Sequence, residues 1–474
     1  MSTTFSPGFA RELLDPDGVS ICRQLQAEGF TTYFVGGCVR DLLLQRRPKD
    51  FDIATEARPE QLKQIFGRRC RIIGRRFRLV HLHVGSQIYE IATFRGLPGD
   101  QEMAADDSGF VVRANTFGTP YEDAKSRDFT VNGLFYDPCA DLIIDHVGGT
   151  EDVKRRLLRT IGDTDKRMRE DPVRLLRAIK FAARLELRLD QVIQDVAPSV
   201  APLVATCPAA RVSEELYRLA ESGHGRVAFE WMKRFGVLDA LLPEISRAFD
   251  DGSPRRAPTL AWLDQIDRLT AAHGTLPREA TFALLAWPFV QAELDAIEDR
   301  FRVPWGRYAL AGVRDLGTRL SVPLRHRHTL AGMADSLKRM RQHPQRRPHP
   351  GHLRAYGVPL ALTVERIQFL LDGTGRESYD LWAAEAERYG LWAAPAEPRQ
   401  DEDDEAPRGG HEARRHAPTQ RHAPDRAPLE AKSTEASPRV QGGAAGPSGE
   451  TDQARSGRRR RRRRSAGPAP VDAG

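Results

Sequence analysis

The pattern of apolar and polar residues divides the chain into a mixed first part and a helical second part. Up to about Phe94, short runs with the two-residue period of strands alternate with stretches of helical period. They predict helices at residues 17–28, 39–44 and 59–66 and strands at 32–35, 51–53, 79–84 and 87–94. From Asp171 onward the apolar spacing is helical, with later helices predicted at 260–269, 280–287, 330–341, 364–371 and 380–388. The expected fold is an α+β domain followed by an all-α region.

Four segments follow from these patterns. Residues 1–150 are predicted to form the α+β domain, 151–245 and 246–394 two helical domains, and 395–474 a disordered tail. The polar residues 97–108 predict a mobile loop. The tail has almost no aromatic residues, so apolar burial cannot offset the entropy lost on ordering. It contains an arginine run at 458–464, which is either a solubilising segment or an electrostatic arm for RNA phosphates.

Composition narrows the class of protein. The hydrophobic share is 40% and the charged share 29%, and no stretch approaches the roughly 18 consecutive apolar residues of a membrane span. The N-terminus has no basic start followed by an apolar run, so a cytoplasmic location is expected. The scattered cysteines predict reduced thiols rather than disulfides or a zinc site; they are Cys22, Cys38, Cys70, Cys139 and Cys207. A net charge of +7 favours an anionic partner, nucleic acid among the candidates.

The first candidate for chemistry is a glycine pair where a predicted strand turns into a helix. Gly36 and Gly37 would let backbone N–H groups approach a phosphate, and the following helix N-terminus adds partial positive charge. Arg40, in the first turns of that helix, is placed to clasp a phosphate oxygen. A glycine pair at such a turn also serves for packing alone, so this motif needs support from its neighbours.

That support comes from two aspartates a short distance downstream. Asp50 and Asp52 are separated by one residue on a predicted strand, so both carboxylates should point to the same face. Adjacent anions repel unless cations neutralise them, and Mg²⁺ beside substrate phosphates is the usual solution. Two ions so placed promote nucleotidyl transfer by activating a 3′-hydroxyl and holding the triphosphate. The alternative is a solvated edge strand.

A third carboxylate usually completes such a site, and the spacing leaves two candidates. Glu90 is an acid inside an otherwise apolar strand, which simple exposure on one sheet face would also explain. Asp128 follows Arg127, so it is equally compatible with a structural ion pair or a helix cap. The residues alone do not rank them.

A polar motif opens the helical region. Asp171 is predicted as the N-cap of a helix beginning at Pro172, and Arg174 and Arg177 follow it at three-residue steps on one helical face. Such an acceptor with two donors is suited to the edge of a nucleotide base. The alternative is a cap with surface ion pairs. Arginines between residues 68 and 78 are suited to triphosphate or RNA backbone, or to a solvated loop.

Taken together, these motifs resemble the class II tRNA nucleotidyltransferase and bacterial poly(A) polymerase family. The resemblance lies in YFVGGCVRDLLL at 33–44, KDFDIAT at 49–55, SRDFTVN at 126–132 and REDPVRLLR at 169–177. It implies a head of polymerase-β nucleotidyltransferase type at residues 1–150, a nucleotide- and RNA-binding neck at 151–245, and an RNA-binding body at 246–394.

The family pattern also implies roles for individual residues. Asp50 and Asp52 would bind two Mg²⁺ ions, the Arg127–Asp128 pair would serve the ribose and the active-site architecture, and Asp171 with Arg174 would bind the incoming base. Asp128 becomes the favoured third catalytic acid, and Glu90 is kept as a possible third metal ligand. The implied nucleotide site consists of Gly36, Gly37, Arg40, Arg127, Asp171, Arg174 and Arg177.

Two further segments resemble the poly(A) polymerase branch. They are IGRRFRLVH at 73–81 and EIATFR at 90–95, and the His-Gly-Thr segment more common in CCA-adding relatives is absent. The implied reaction is addition of AMP from ATP to RNA 3′ ends, and the alternative is CCA or A addition to tRNA. A catalytically silent RNA-binding protein is a third hypothesis, which the intact pair Asp50 and Asp52 opposes.

Overall fold

The structure is a computed structural model that describes residues 3–74, 79–96, 103–105, 111–113 and 117–392. Most of the loop predicted at 97–108, the arginines at 75–78 and the predicted tail at 395–474 lie outside the described residues.

The first part of the chain is built on one mixed sheet. Its strands are β1 (Thr3–Phe5), β2 (Thr32–Val35), β3 (Ile53–Thr55), β4 (Cys70–Ile73), β5 (Leu79–Val84), β6 (Gln87–Thr93), β9 (Leu134–Asp137) and β10 (Leu142–Asp145), and β7 (Met103–Ala105) pairs separately with β8 (Val111–Arg113). The sheet order is β1-β10-β9-β2-β3-β6-β5-β4 among the described residues, and only β3 and β6 run parallel.

Five helices accompany this sheet in the described part of the head. They are α1 (Pro16–Ala27), α2 (Gly37–Leu43), α3 (Pro59–Phe66), α4 (Pro120–Ser126) and α5 (Gly149–Lys154). The start of α1 shows why these segments become helical: Pro16 occupies the first turn, and the Asp15 carboxylate accepts from Gly18 N at 2.9 Å. Short 3₁₀ turns occur at Arg11–Leu13, Gly67–Arg69 and Thr130–Asn132.

The two faces of the sheet are packed differently. One face, including Phe34 and Ile53, joins the main core with Leu25 and Leu62 of the helices. The other face carries a small separate cluster of buried residues, which are Val35, Ala54, Phe94, Ala124 and Phe135. This alternation follows the two-residue period of strands. Polar side chains that alternate with the core residues therefore lie on the second face, outside the main core.

The rest of the described chain is almost entirely helical, as predicted. Residues after the head form β11 (Leu157–Leu158), α6 (Thr164–Glu170), α7 (Val173–Leu185), β12 (Arg188–Leu189), α8 (Gln191–Val204), α9 (Ala209–Ala220), α10 (Gly225–Arg234) and α11 (Val237–Leu241). Later elements are α12 (Pro243–Ser246), a 3₁₀ turn at Arg247–Phe249, α13 (Arg256–His273), α14 (Arg278–Asp295), α15 (Trp305–Gly312), α16 (Arg314–Arg319), α17 (Leu324–Gln342), α18 (Pro350–Leu353), α19 (Val358–Asp372) and α20 (Arg376–Arg388). The α+β head and the helical region that follows it are therefore confirmed.

Two local predictions were wrong. The strand predicted at 51–53 begins only at Ile53, because β2 ends at Val35, opposite Asp52, and the chain leaves the sheet at Gly36. Asp171 does not cap α7: Pro172 occupies the cap position in helical geometry, and the Asp171 side chain is bonded elsewhere.

The cysteines and the helix lengths bear on two further expectations. All five cysteines are free thiols, as predicted, and only Cys139 is exposed. Within the described ranges, the helices are too short or too polar to cross a membrane.

Candidate active site

The glycine turn lies directly beside the two aspartates. The backbone N–H of Val35 donates to Asp52 O at 3.0 Å, so Gly36 leaves β2 next to the aspartate segment. Gly36 has φ +73° and ψ −120°, a conformation essentially confined to glycine. A Cβ on Gly36 would lie 2.8 Å from Nη1 of Arg127. A side chain at residue 36 would thus both strain the turn and displace the arginine that covers it.

Asp50 and Asp52 lie just before β3, and both are exposed. Phe51 and Ile53 belong to the main core, so the alternation expected from sequence holds here although the strand starts later. β3 and β6 run parallel with Ile53 opposite Ile91, and continuing this register by one residue places Asp52 beside Glu90. The structure therefore brings a third carboxylate to the aspartate pair from β6.

The environment of Asp52 disfavours its negative charge. Partial loss of hydration raises the pKa of Asp52 above its ordinary value, and the charges of Glu90 and Asp50 raise this pKa further, while Arg127 opposes them. The carboxylate is accessible to solvent, but the surrounding protein removes part of its water. These are the conditions under which a cation is bound favourably.

The donor set has the chemistry that a hard divalent cation prefers. Asp50, Asp52 and Glu90 offer only carboxylate oxygens, and their mutual repulsion falls when a cation is bound. Across the described ranges, no three histidine, cysteine or acidic side chains already converge on a point that would hold a metal ion. Ligands from the substrate triphosphate would have to complete such a site.

Arg127 is held over the glycine turn by contacts on several sides. Its guanidinium donates to Asp123 Oδ2 from Nε at 3.1 Å and from Nη2 at 2.8 Å, and it lies over the ring of Phe135. Its backbone carbonyl accepts from Arg167 Nη2 at 2.6 Å. The predicted ribose-binding residue is thus a preoriented cation beside Gly36.

Arg40 faces the protein interior instead of the open side of the turn. Its side chain is buried, with Nε and Nη2 donating to Asp41 Oδ1 at 2.8 and 2.7 Å. Its Nη1 donates to Asn132 Oδ1 at 2.5 Å. These bonds connect α2 to the segment after Asp128, so the placement gives Arg40 a supporting role and does not favour the expected phosphate contact.

Asp128 lies in a largely buried network of hydrogen bonds rather than among the carboxylates. It accepts from Arg177 Nε and Nη2 at 2.9 and 2.7 Å, from Asn132 Nδ2 at 3.0 Å and from Phe129 N at 2.8 Å. Burial alone would raise the pKa of Asp128, but the charge and hydrogen bonds of Arg177, with the bond from Asn132, lower this pKa below its ordinary value. Arg177 also donates to Glu215 Oε1 at 3.1 Å. This arginine therefore connects Asp128 of the head with Glu215 of α9.

The predicted base-binding residues point to different partners. Asp171 accepts from Arg211 Nη2 at 2.5 Å through Oδ2, while its Oδ1 is buried and has no hydrogen-bond partner among the described residues. Arg174 donates to the carbonyl of Arg167. Arg177 is engaged with Asp128, so the three side chains have different partners, although Arg174 and Arg177 are one turn apart on α7.

Sequence reasoning missed several residues that organise this site. Asn132 bonds both Arg40 and Asp128, and Arg167 holds the carbonyls of Ser126 and Arg127. Asn132 lies within a segment that already carried the family resemblance, so its type was a usable signal. For Arg167 the spacing along the helix gave no such signal, because its partners lie some 40 residues away in the sequence.

Comparisons with known proteins show the family. A family model described as the poly A polymerase head domain matches residues 32–159, and one described as the probable RNA and SrmB-binding site of polymerase A matches residues 187–249. Poly(A) polymerase I of Haemophilus influenzae is 38% identical over 325 residues, which cover 65% of this chain and 71% of that protein. The chain belongs to the poly(A) polymerase family.

Other relatives of this poly(A) polymerase family member match over shorter stretches. Poly(A) polymerase I of Salmonella typhi is 39% identical over 247 residues, 51% of this chain and 53% of that protein, so the chain spans about half of that relative. Among solved structures, the Bacillus stearothermophilus CCA-adding enzyme in complex with CTP is 25% identical with a TM-score of 0.57, covering 79% of this chain and 83% of that chain. Both groups of relatives are nucleotidyltransferases.

Proposed function

We propose that this protein adds AMP from ATP to RNA 3′ ends without a template and releases pyrophosphate. The observation that carries the proposal is the position of Asp52, next to the Gly36 turn through the Val35 N to Asp52 O bond and beside Glu90 through the β3–β6 register. A phosphate-approaching turn and like-charged carboxylates in one place suit a nucleoside triphosphate with its cations. The family supports adenylation of RNA.

We further propose Asp50, Asp52 and Glu90 as the residues that would hold two Mg²⁺ ions. When bound, these ions would supply the Lewis acidity that activates the RNA 3′-hydroxyl and stabilises the leaving pyrophosphate. The raised pKa of Asp52 supports this assignment, since the folded protein destabilises the bare carboxylate. Asp128 is given an architectural role, because its oxygens already accept from Arg177, Asn132 and Phe129 N.

The protein's own contribution to nucleotide binding is positioning. Gly37 is partly exposed next to the carboxylates, whereas Gly36 is buried and its N–H donates to Leu134 O at 3.0 Å. Arg127 places a cation over the turn, where phosphate or ribose oxygens would accept from it. Asp171 offers a buried carboxylate oxygen without a partner in the described structure, which suits the exocyclic amine of adenine or cytosine. Arg174, three residues further along the chain, is proposed as the paired donor through the guanidinium that also donates to the carbonyl of Arg167.

RNA is the proposed second substrate. The segment at 187–249 matches the RNA-binding family model, and the arginine run at 458–464 provides a site for sequence-independent phosphate contacts. Such a polymerase would feed RNA polyadenylation and decay, and its proposed location is the cytoplasm.

A second candidate function is addition of CCA, or of the terminal A, to tRNA. It is favoured by one observation, the similarity of the fold to a CCA-adding enzyme solved with CTP. The unpartnered oxygen of Asp171 does not discriminate, because both cytosine and adenine present an amine donor.

The proposal is tested by incorporation of labelled ATP into an unstructured RNA with Mg²⁺, followed by pyrophosphate release. Asp52→Asn should abolish both signals, and chelation of Mg²⁺ should do the same. Asp17→Asn, which removes the same charge from an exposed position in α1, is the matched control and should behave as the wild type. Incorporation by Asp52→Asn at the wild-type rate would overturn the proposal.

A further inference from the structure

A row of polar side chains runs across the sheet from the carboxylates to its edge. The register pairs His81 of β5 with Glu90 of β6, and Arg71 of β4 with His81. On the other side, Asp52 lies beside Glu90 in the continued β3 register. Side chains in register on neighbouring strands share one face, so Glu90 lies between Asp52 and His81.

The contact between His81 and Glu90 is direct. His81 Nε2 lies 3.6 Å from Glu90 Oε1, which is longer than a hydrogen bond but short enough for a small torsional change to form one. The side chain of Glu90 is 59% exposed and that of His81 is 30% exposed. An exposed glutamate samples many rotamers, so the imidazole is the described neighbour best placed to restrict it.

We propose that His81 is a positioning residue, which holds the Glu90 carboxylate toward Asp52 so that the two carboxylates can share a divalent cation. The inference rests on the proposed function, because it takes Glu90 as a metal ligand. Ligating carboxylates are commonly oriented by a donor outside the ligand set, and loss of that donor weakens metal binding. The N–H of the imidazole is such a donor, and it approaches Glu90 from the side away from Asp52.

The competing explanation is an ordinary exposed ion pair. Such pairs contribute little to stability and would have no effect on cation binding. The two explanations differ in what removal of the imidazole does to the metal site, and the strand itself supplies the control. His83 is two residues along β5, therefore on the same face, but it pairs with Ile88 instead of Glu90.

The experiment uses the full chain and three variants, His81→Leu, His81→Gln and His83→Leu. Mn²⁺ is titrated into each protein with a non-hydrolysable ATP analogue, and free Mn²⁺ is followed by electron paramagnetic resonance. His81→Leu should raise the Mn²⁺ dissociation constant roughly tenfold. His81→Gln keeps an N–H donor, so its Mn²⁺ dissociation constant should stay within about threefold of the wild-type value. His83→Leu should have the wild-type dissociation constant.

Steady-state kinetics provide the second readout. His81→Leu should raise the Mg²⁺ concentration for half-maximal rate, with most activity restored at high Mg²⁺ and with the KM for RNA unchanged. Equal Mn²⁺ binding by wild type and His81→Leu would overturn the inference. Equal weakening in His81→Gln and His81→Leu would also overturn it, because ring volume rather than the donor would then matter.

Failure of the proposed function would look different. If the wild type binds Mn²⁺ but incorporates no nucleotide, the adenylation proposal fails while the binding titration still reports on His81. If the wild type incorporates ATP and His81→Leu binds Mn²⁺ normally, only the His81 inference fails.

Discussion

Replacing Asp128 with alanine should cost stability, whereas replacing Asp52 should cost only activity. Asp128 is mostly buried, with 11% of its side chain exposed, and it accepts four hydrogen bonds, two of them from Arg177. Its loss leaves the guanidinium with Glu215 as its remaining described carboxylate partner. Breaking a buried ion pair by removing one partner typically costs about 3–5 kcal/mol. We expect about 3 kcal/mol or less, because Arg177 is 28% exposed and keeps that second partner.

Asp52 provides the opposite case within the same site. Its pKa is raised by partial desolvation and by Glu90 and Asp50, so the ionised side chain destabilises the folded state at neutral pH. Asp52→Ala should therefore leave the free energy of unfolding unchanged or slightly increased while it abolishes ATP incorporation. One measurement of stability and one of ATP incorporation therefore distinguish the role of Asp128 from that of Asp52.

The assay is urea denaturation at pH 7 followed by tryptophan fluorescence, run beside ATP incorporation on the same preparations. Asp128→Ala should lower the urea midpoint. Its activity should fall as the folded fraction falls, and should fall further because Arg127, the preceding residue, is misplaced. The reasoning is refuted if Asp128→Ala unfolds at the wild-type midpoint and yet has no activity. That result would return Asp128 to the catalytic role first expected from the sequence.

Three further predictions follow from single features. Gly36→Ala should lower kcat/KM for ATP at least tenfold, because the Cβ strains the turn and displaces Arg127, and wild-type kinetics would contradict this. Hydrogen bonds from Arg278 lower the pKa of Glu214 from 4.5 to about 2, so this pair stabilises the fold above about pH 4.5 and ceases to as pH falls toward 2. Glu214→Gln should thus lower the free energy of unfolding at pH 7 by about 1 kcal/mol or less for so exposed a pair, and the melting temperature with it, and the difference from the wild type should shrink below pH 4.5. Deleting residues 458–464 should weaken RNA binding and flatten its salt dependence, by about 0.7 in log-log slope per lost contact, with the rate at saturating RNA nearly unchanged.

Local pattern was enough to predict most of the elements. The strands at 32–35 and 79–84 and the helix at 59–66 have the predicted bounds, because each has a clear period and a glycine or proline at its limit. The later helices are real but longer than predicted; the helix expected at 364–371 extends over Val358–Asp372. Apolar periodicity identifies a helix but does not fix its ends, which depend on capping contacts.

The candidate site was less predictable, because it depends on partners distant in sequence. Arg40 was expected at a phosphate, but Asn132, 92 residues away, turns it inward. Asp128 and Arg177 were assigned separate roles, yet they bind each other across 49 residues. The association of Asp52 with Glu90 likewise needed the parallel β3–β6 pairing, which local periodicity does not encode.

The most direct test of the central claim offers the purified protein two labelled primers, a tRNA lacking its CCA end and an unstructured RNA. ATP and CTP are supplied singly and then together. Template-independent adenylation predicts long ladders on both primers with ATP alone. CTP-dependent addition that stops after about three nucleotides, on the tRNA only, would contradict it and assign the chain to CCA addition.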